Sequence, residues 1–286
     1  MSRTPSKSTA SGPVASEPDP EPGGADSPTP APGPANPASE TPADSAGPAG
    51  VLVGGRRVRP GLVLATCCTA LFVSSMNAVL INVALPMIRV GLGASATQLQ
   101  WVVDAYTLMI ASLLLATGSM ADRFGRKRIF MTGLVLFAAA SALCALAPTT
   151  AWLIAGRGLQ AVGGAMLTPV ALSIISATYT DATARARAIG VWGAVSGVSL
   201  GLGPIAGGLL TDAFGWEASF WLNVPVCVAA IVATALFVPE SRAPRPRRLD
   251  PAGQLLMMVF LAGVVGTLIE GPEIGWSSPP VLVLAG

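Results

Sequence analysis

Seven apolar segments, each long enough to cross a bilayer, follow one another from residue 60 onward, and nearly all the arginine is collected in the turns between them. A helix rises about 1.5 Å per residue, so about 20 apolar residues span the hydrocarbon core of a membrane. The segments lie near 62–86, 98–120, 129–147, 151–175, 187–210, 218–238 and 251–269, and an eighth begins near 279, shortly before Gly286. In lipid the backbone must satisfy its own hydrogen bonds, which leaves helices or a closed barrel. Barrel strands need only about 10 residues, so these lengths predict an all-α polytopic membrane protein. Pro86, Pro148 and Pro239 each follow an apolar run and are expected to mark its end. Asp250-Pro251 reads as an N-cap followed by proline at the first helical position.

The basic residues give a direction. Arg3, Lys7, Arg56, Arg57 and Arg59 precede the first span. Arg123, Arg126, Lys127 and Arg128 follow the second, Arg185 and Arg187 follow or open onto the turn after the fourth, and Arg242, Arg245, Arg247 and Arg248 follow the sixth. Of the 17 Lys and Arg only Arg89 and Arg157 fall elsewhere. Positive charge is retained on the cytoplasmic side, so a cytoplasmic N-terminus and a multi-pass plasma-membrane location are expected. Trp101, Trp152, Trp216, Trp221 and Trp276 fall near the opposite face, as an interfacial belt would place them.

Composition excludes several functions. Only 11% of residues are charged, against about a quarter in soluble domains. There is no His, which removes the Ser-His-Asp triad, the His metal site and the His proton shuttle. A net charge of +2 gives no nucleic-acid footprint. Cys67, Cys68, Cys144 and Cys227 sit in apolar stretches without C-x-x-C spacing, so no disulfide framework, metal site or cofactor is expected. With no nucleophile beside a base, an enzyme is not expected either. Residues 1–55 are rich in Pro and Ala, with almost no bulky apolar side chain before residue 51, and read as a disordered cytoplasmic tail. The remainder divides into a six-helix bundle over 60–238 and, over 239–286, a basic loop, a linking seventh helix and the start of an eighth.

Two charges lie well inside spans, Asp104 and Arg157. A charge there costs at least about 2.5 kcal/mol on insertion scales. Counted from the non-basic side, both sit roughly 9 Å deep, so an ion pair or a shared water-filled cavity is geometrically available. One reading is a static pair fixing two helices; the other is a protonatable carboxylate tuned by Arg157. Asn77 falls near the same depth and can hydrogen-bond a substrate or Arg157.

Gly118-Ser119-Met120-Ala121-Asp122-Arg123-Phe124-Gly125-Arg126-Lys127 follows the second span. It resembles the G-x-x-x-D-R-x-G-R-[KR] signature of the major facilitator superfamily, at the loop between helices 2 and 3. There Gly118 is expected to permit close helix approach, Gly125 a tight turn, and Asp122 an arginine or helix N-terminus contact. Leu153–Ala165 (LIAGRGLQAVGGA) is similar to the helix-4 motif, with Arg157 and Gln160 matching and Ala161 where Gly is usual. GAVSGVSLGLGPIAGG, with Gly193, Gly197, Gly201, Gly203, Pro204, Gly207 and Gly208, resembles the antiporter motif of drug exporters. The glycines predict backbone-to-backbone helix packing from Gly193 onward, and the proline a bend. Asn82–Pro86, Trp101–Tyr106 and Asn223-Val224-Pro225 add to the resemblance, which points to the fourteen-helix drug:proton antiporter branch over residues 60–286.

The resemblance implies proton-coupled efflux of small hydrophobic or drug-like molecules. Together with the intramembrane position of the two charges, it points to Asp104 and Arg157 for proton coupling, and to Asn77, Tyr106 and Gln160 for the substrate cavity. It gives Gly118, Asp122, Arg123, Gly125, Arg126 and Lys127 to a cytoplasmic gate. The branch usually has Asp where this chain has Asn77. Its members carry a second six-helix bundle, so the expected partners are the lipid bilayer, a small organic substrate, protons and the C-terminal half of the transporter. Transport of another solute on the same fold, and a non-transporting membrane scaffold, are the alternatives.

Overall fold

The structure, a computed structural model, describes residues 51–53, 56–242 and 251–274. Two three-residue strands, β1 (Val51–Val53) and β2 (Arg56–Val58), pair antiparallel with Val51 opposite Val58. The helices are α1 (Pro60–Leu92), α2 (Ala96–Phe124), α3 (Arg126–Ala145), α4 (Thr150–Thr178), α5 (Ala182–Phe214), the single turn α6 (Ala218–Trp221), α7 (Asn223–Phe237) and α8 (Pro251–Ile274). Seven spans are long and apolar enough to cross a membrane, with α6 and α7 together forming one of them. The all-α expectation holds.

Three details differ from the sequence reading. The tail was expected to run to residue 55, yet residues 51–53 are paired with 56–58; residues 1–50 lie outside the described residues, as do Asp250, the last three arginines of the basic loop, Trp276 and the eighth segment. Pro86 does not end the first span. It lies inside α1, which continues to Leu92 and stops at Gly93, left-handed at φ 61°. Proline removes a single ladder bond, whereas Gly93 is the residue suited to a left-handed C-cap. The sixth span is interrupted between α6 and α7, where Pro225 has no N–H to bond the carbonyl of Trp221.

The helix starts follow local chemistry. Ser95 and Gln98 form a reciprocal capping box on α2. The Thr149 hydroxyl accepts the Trp152 N–H, and the Asp181 carboxylate accepts the Ala184 N–H. Inside the bundle α4 is central, packed on α2 and α3, while α5 lies chiefly on α1 and α8 on α2. Apolar packing forms two clusters. One joins Val63, Cys67, Phe130, Leu134, Ile174 and Val238 toward the arginine-bearing end. The other joins Ile88, Val102, Cys144, Leu153, Trp216 and Phe220 toward the opposite end. On α1, α3, α4 and the sixth span, a buried polar residue lies between the stretches that feed these clusters.

Candidate functional site

That polar level is a belt of Asn77 from α1, Ser141 from α3, Arg157 and Gln160 from α4, and Asn223 from the start of α7, all buried. Gln160 connects it. Its Oε1 accepts from Arg157 Nη1 at 2.6 Å, and its Nε2 donates to Ser141 Oγ at 2.7 Å and to Asn77 Oδ1 at 3.2 Å. Asn223 Nδ2 donates to Asn77 Oδ1 at 2.9 Å. Arg157 Nε donates to the Val102 carbonyl of α2 at 3.1 Å, and the guanidinium lies 4.1 Å from the Tyr106 ring centroid, within cation–π range. The Tyr106 hydroxyl is 3.4 Å from Ser74 Oγ. Among the described residues no ion pair reaches Arg157. Arg157, 1% exposed, is held among the described residues by two carbonyl oxygens and an aromatic face. Asn77, Tyr106 and Gln160, expected at a cavity wall, are enclosed by packed helices here, because their polar groups serve the belt.

Asp104 is not brought to Arg157. Val102 and Tyr106 are four residues apart, so both face α4, and Asp104 lies between them, about 200° around the helix. Azimuth around the helix, which an estimate of depth does not include, decides the contact. Asp104 instead opens, half-buried, into a cavity of about 270 Å³ between α2 and α8, with Thr107, Leu108, Leu261, Val265 and Leu268 on its walls.

At the arginine-bearing end only Gly125, at φ 115°, separates α2 from α3. Asp122 Oδ1 takes Arg126 Nη2 at 3.0 Å, and Arg123 lies 5.7 Å from the Phe124 ring centroid. Asp122 and Gly118 also line an open cavity of about 450 Å³ between α2 and α4, with Leu114, Pro169 and Leu172. The close approach expected at Gly118 is absent: a Cβ there would meet only Pro169 Cβ, at an ordinary 3.8 Å. Sequence reasoning missed Glu240. Its Oε1 accepts the Lys127 N–H at 3.1 Å, and its Oε2 lies 3.6 Å from Arg128 Nε. An acid just beyond a span, in a chain short of acids, was the available signal.

The glycine stripe divides. Gly203 and Gly207 press on Val79, Leu80 and Val83 of α1, where added Cβ atoms would come within 3.0 Å. Gly193, Gly197, Gly201 and Gly208 have open space where a Cβ would stand. The buried row is Ser199, Gly203, Gly207 and Thr211, set about 200° from the Gly193–Gly197–Gly201 row. Packing from Gly193 onward is therefore corrected to packing at Gly203 and Gly207. Pro204 lies within α5 on its exposed side.

A family model described as Major Facilitator Superfamily matches residues 67–282. The chain is 40% identical to the methylenomycin A resistance protein of Streptomyces coelicolor, over 81% of this chain and 49% of that protein. It is 38% identical to the multidrug resistance protein Stp of Mycobacterium tuberculosis, over 78% and 42%. With the multidrug efflux pump LfrA of Mycolicibacterium smegmatis the identity is 37%, over 79% and 45%. The chain thus spans about half the length of these relatives or a little less. In fold it is similar to a crystal structure of the peptide transporter POT in complex with sulfate, with a TM-score of 0.59 at 18% identity over 82% of this chain and 50% of that one.

Proposed function

The chain belongs to the Major Facilitator Superfamily, and on that premise we propose that it supplies the N-terminal bundle of a proton-coupled exporter of small hydrophobic or drug-like molecules. The proposed setting is the plasma membrane with the N-terminus in the cytoplasm, which puts the Gly118–Lys127 turn on the cytoplasmic side as a gate. The substrate class is supported by relatives named for resistance and efflux.

The observation that carries ion coupling is that two ionisable side chains stand within adjacent spans without neutralising each other. A purely structural contact there is met at lower cost by apolar packing. Asp104 has room and a half-open cavity in which to take and release a proton. Arg157 is fixed, and its positive field reaches α2 through a low-dielectric interior. In this reading Asn77, Tyr106 and Gln160 hold Arg157 in place and meet substrate only in conformations where the belt parts. Alternating access rocks this bundle against a second one around a mid-membrane cavity.

The test is proton-coupled dye efflux in inverted vesicles from cells carrying the complete reading frame. Asp104→Asn is expected to reduce pH-driven efflux at least tenfold while leaving dye binding in place. Coupling that survives this substitution removes Asp104 from the mechanism.

A further inference from the structure

The first turn of α3 is Arg126-Lys127-Arg128. Three cations stand where the helix dipole and the free N–H groups call for an anion. Gly125, the residue before it, offers no side chain, and α3 has no side-chain cap of its own on that residue. The anion comes from another element. The segment after α7 returns to this turn, and Glu240 Oε1 accepts the Lys127 N–H at 3.1 Å while Oε2 faces Arg128 Nε at 3.6 Å. Oε1 also accepts the Ser241 N–H at 3.1 Å, which fixes the carboxylate on its own backbone. The next carbonyl along, that of Ser241, accepts the Arg126 N–H at 2.9 Å. In return Lys127 Nζ donates to the Ala235 carbonyl at 2.8 Å, in the last turn of α7, where the dipole favours a cation. Each helix end thus receives from the other segment the charge it lacks. Gly125 completes the fit: a Cβ there would lie 2.6 Å from Glu240 Oε1.

We propose that Glu240 is the positioning residue of the α2–α3 turn, a carboxylate clasp that substitutes for the missing cap of α3 and ties the turn to the end of α7. Its consequence for transport rests on the gate reading above: the arginine-bearing turn then moves with α7 and not on its own. The clasp itself does not depend on that reading.

The purified full chain in detergent micelles provides the test, with trypsin cleavage after Arg126, Lys127 and Arg128 as the measure of how firmly the turn is held. Glu240→Ala is expected to raise cleavage there at least tenfold. Glu240→Gln keeps an acceptor for the Lys127 N–H but loses the charge toward Arg128, so it should fall between, near threefold. Gly125→Ala expels the carboxylate and also strains the turn at φ 115°, so it should be cut at least as fast as Glu240→Ala. The double variant should be cut no faster than Gly125→Ala alone, since the carboxylate contact is already lost there. Cleavage after Arg185, in the α4–α5 turn, is the reference and should not change. A rate for Glu240→Ala within twofold of the parent overturns the clasp. Effects of the two substitutions that multiply, or an equal rise at Arg185, overturn it as well. A freed turn with unaltered efflux by the complete reading frame supports the clasp and removes the gate reading instead.

Discussion

Gln160 accepts from Arg157 and donates to Asn77 and Ser141 in a site with no solvent access. Truncating it leaves three partners short of a hydrogen bond, each worth about 1–3 kcal/mol when stranded. Gln160→Ala is therefore expected to destabilise the bundle by about 3 kcal/mol or more. Denaturation of the purified chain in mixed micelles, followed by tryptophan fluorescence, measures this; a loss under about 1 kcal/mol means that water replaces the amide and the belt is not dry. Arg157 and Asn77 were legible in the sequence because polar groups in apolar spans require partners, and Gln160 through its match to the helix-4 motif. Ser141 and Asn223 were not assigned, since a small polar residue in a span carries no charge or period to mark it. Asp104 was legible as a functional candidate and illegible in its contact. Residue spacing gives depth at once, but the facing direction depends on which side of α2 meets α4.

Helices were read from length and polarity alone, and the seven expected spans among the described residues are present because hydrocarbon leaves the backbone few alternatives. What spacing did not disclose was which small residues bear the contacts. Among the described glycines the closest backbone-to-backbone approach is between α3 and α4: a Cβ on Gly163 would lie 2.6 Å from the Phe137 nitrogen and 2.8 Å from the Gly133 carbonyl oxygen. Backbone atoms on both sides have no side chain to turn aside, so Gly163→Ala must push the helices apart. It is expected to cost about 1–3 kcal/mol, the range for overpacked cores. Gly197→Ala, in open space on α5, should be neutral or slightly stabilising, since Ala forms helix better than Gly. Thermal unfolding of the two variants side by side checks the contrast; equal losses mean that the open α5 face is covered in solution. The conspicuous motif therefore mixes two contact glycines, Gly203 and Gly207, with an unpacked row, and the α3–α4 contact glycines stand where no four-residue repeat draws the eye.

The molecule as a whole places its polar residues in reverse of a soluble protein. Its charged belt is central, and Leu115, Val198, Ile205, Leu209, Leu256 and Phe260 stand well exposed on α2, α5 and α8. Such a surface is stable against hydrocarbon or another apolar bundle and not against water. Orientation across the bilayer then rests on charge, and the two ends of the bundle allow a direct test. Val90 is 85% exposed near the C-terminal end of α1, while Arg123 is exposed at the opposite end, in the arginine-bearing turn. The four native cysteines add little background: Cys67, Cys144 and Cys227 are buried and Cys68 is half-buried. In intact cells a membrane-impermeant maleimide is expected to label Val90→Cys and to leave Arg123→Cys unlabelled until the membrane is opened. The retention of Lys and Arg in cytoplasmic turns predicts this order, and the Arg126–Ser241 backbone bond places the turns after α2 and α7 at the same end. Labelling of Arg123→Cys from outside intact cells reverses the bundle, puts the Gly118–Lys127 turn on the external face, and removes the basis for a cytoplasmic gate.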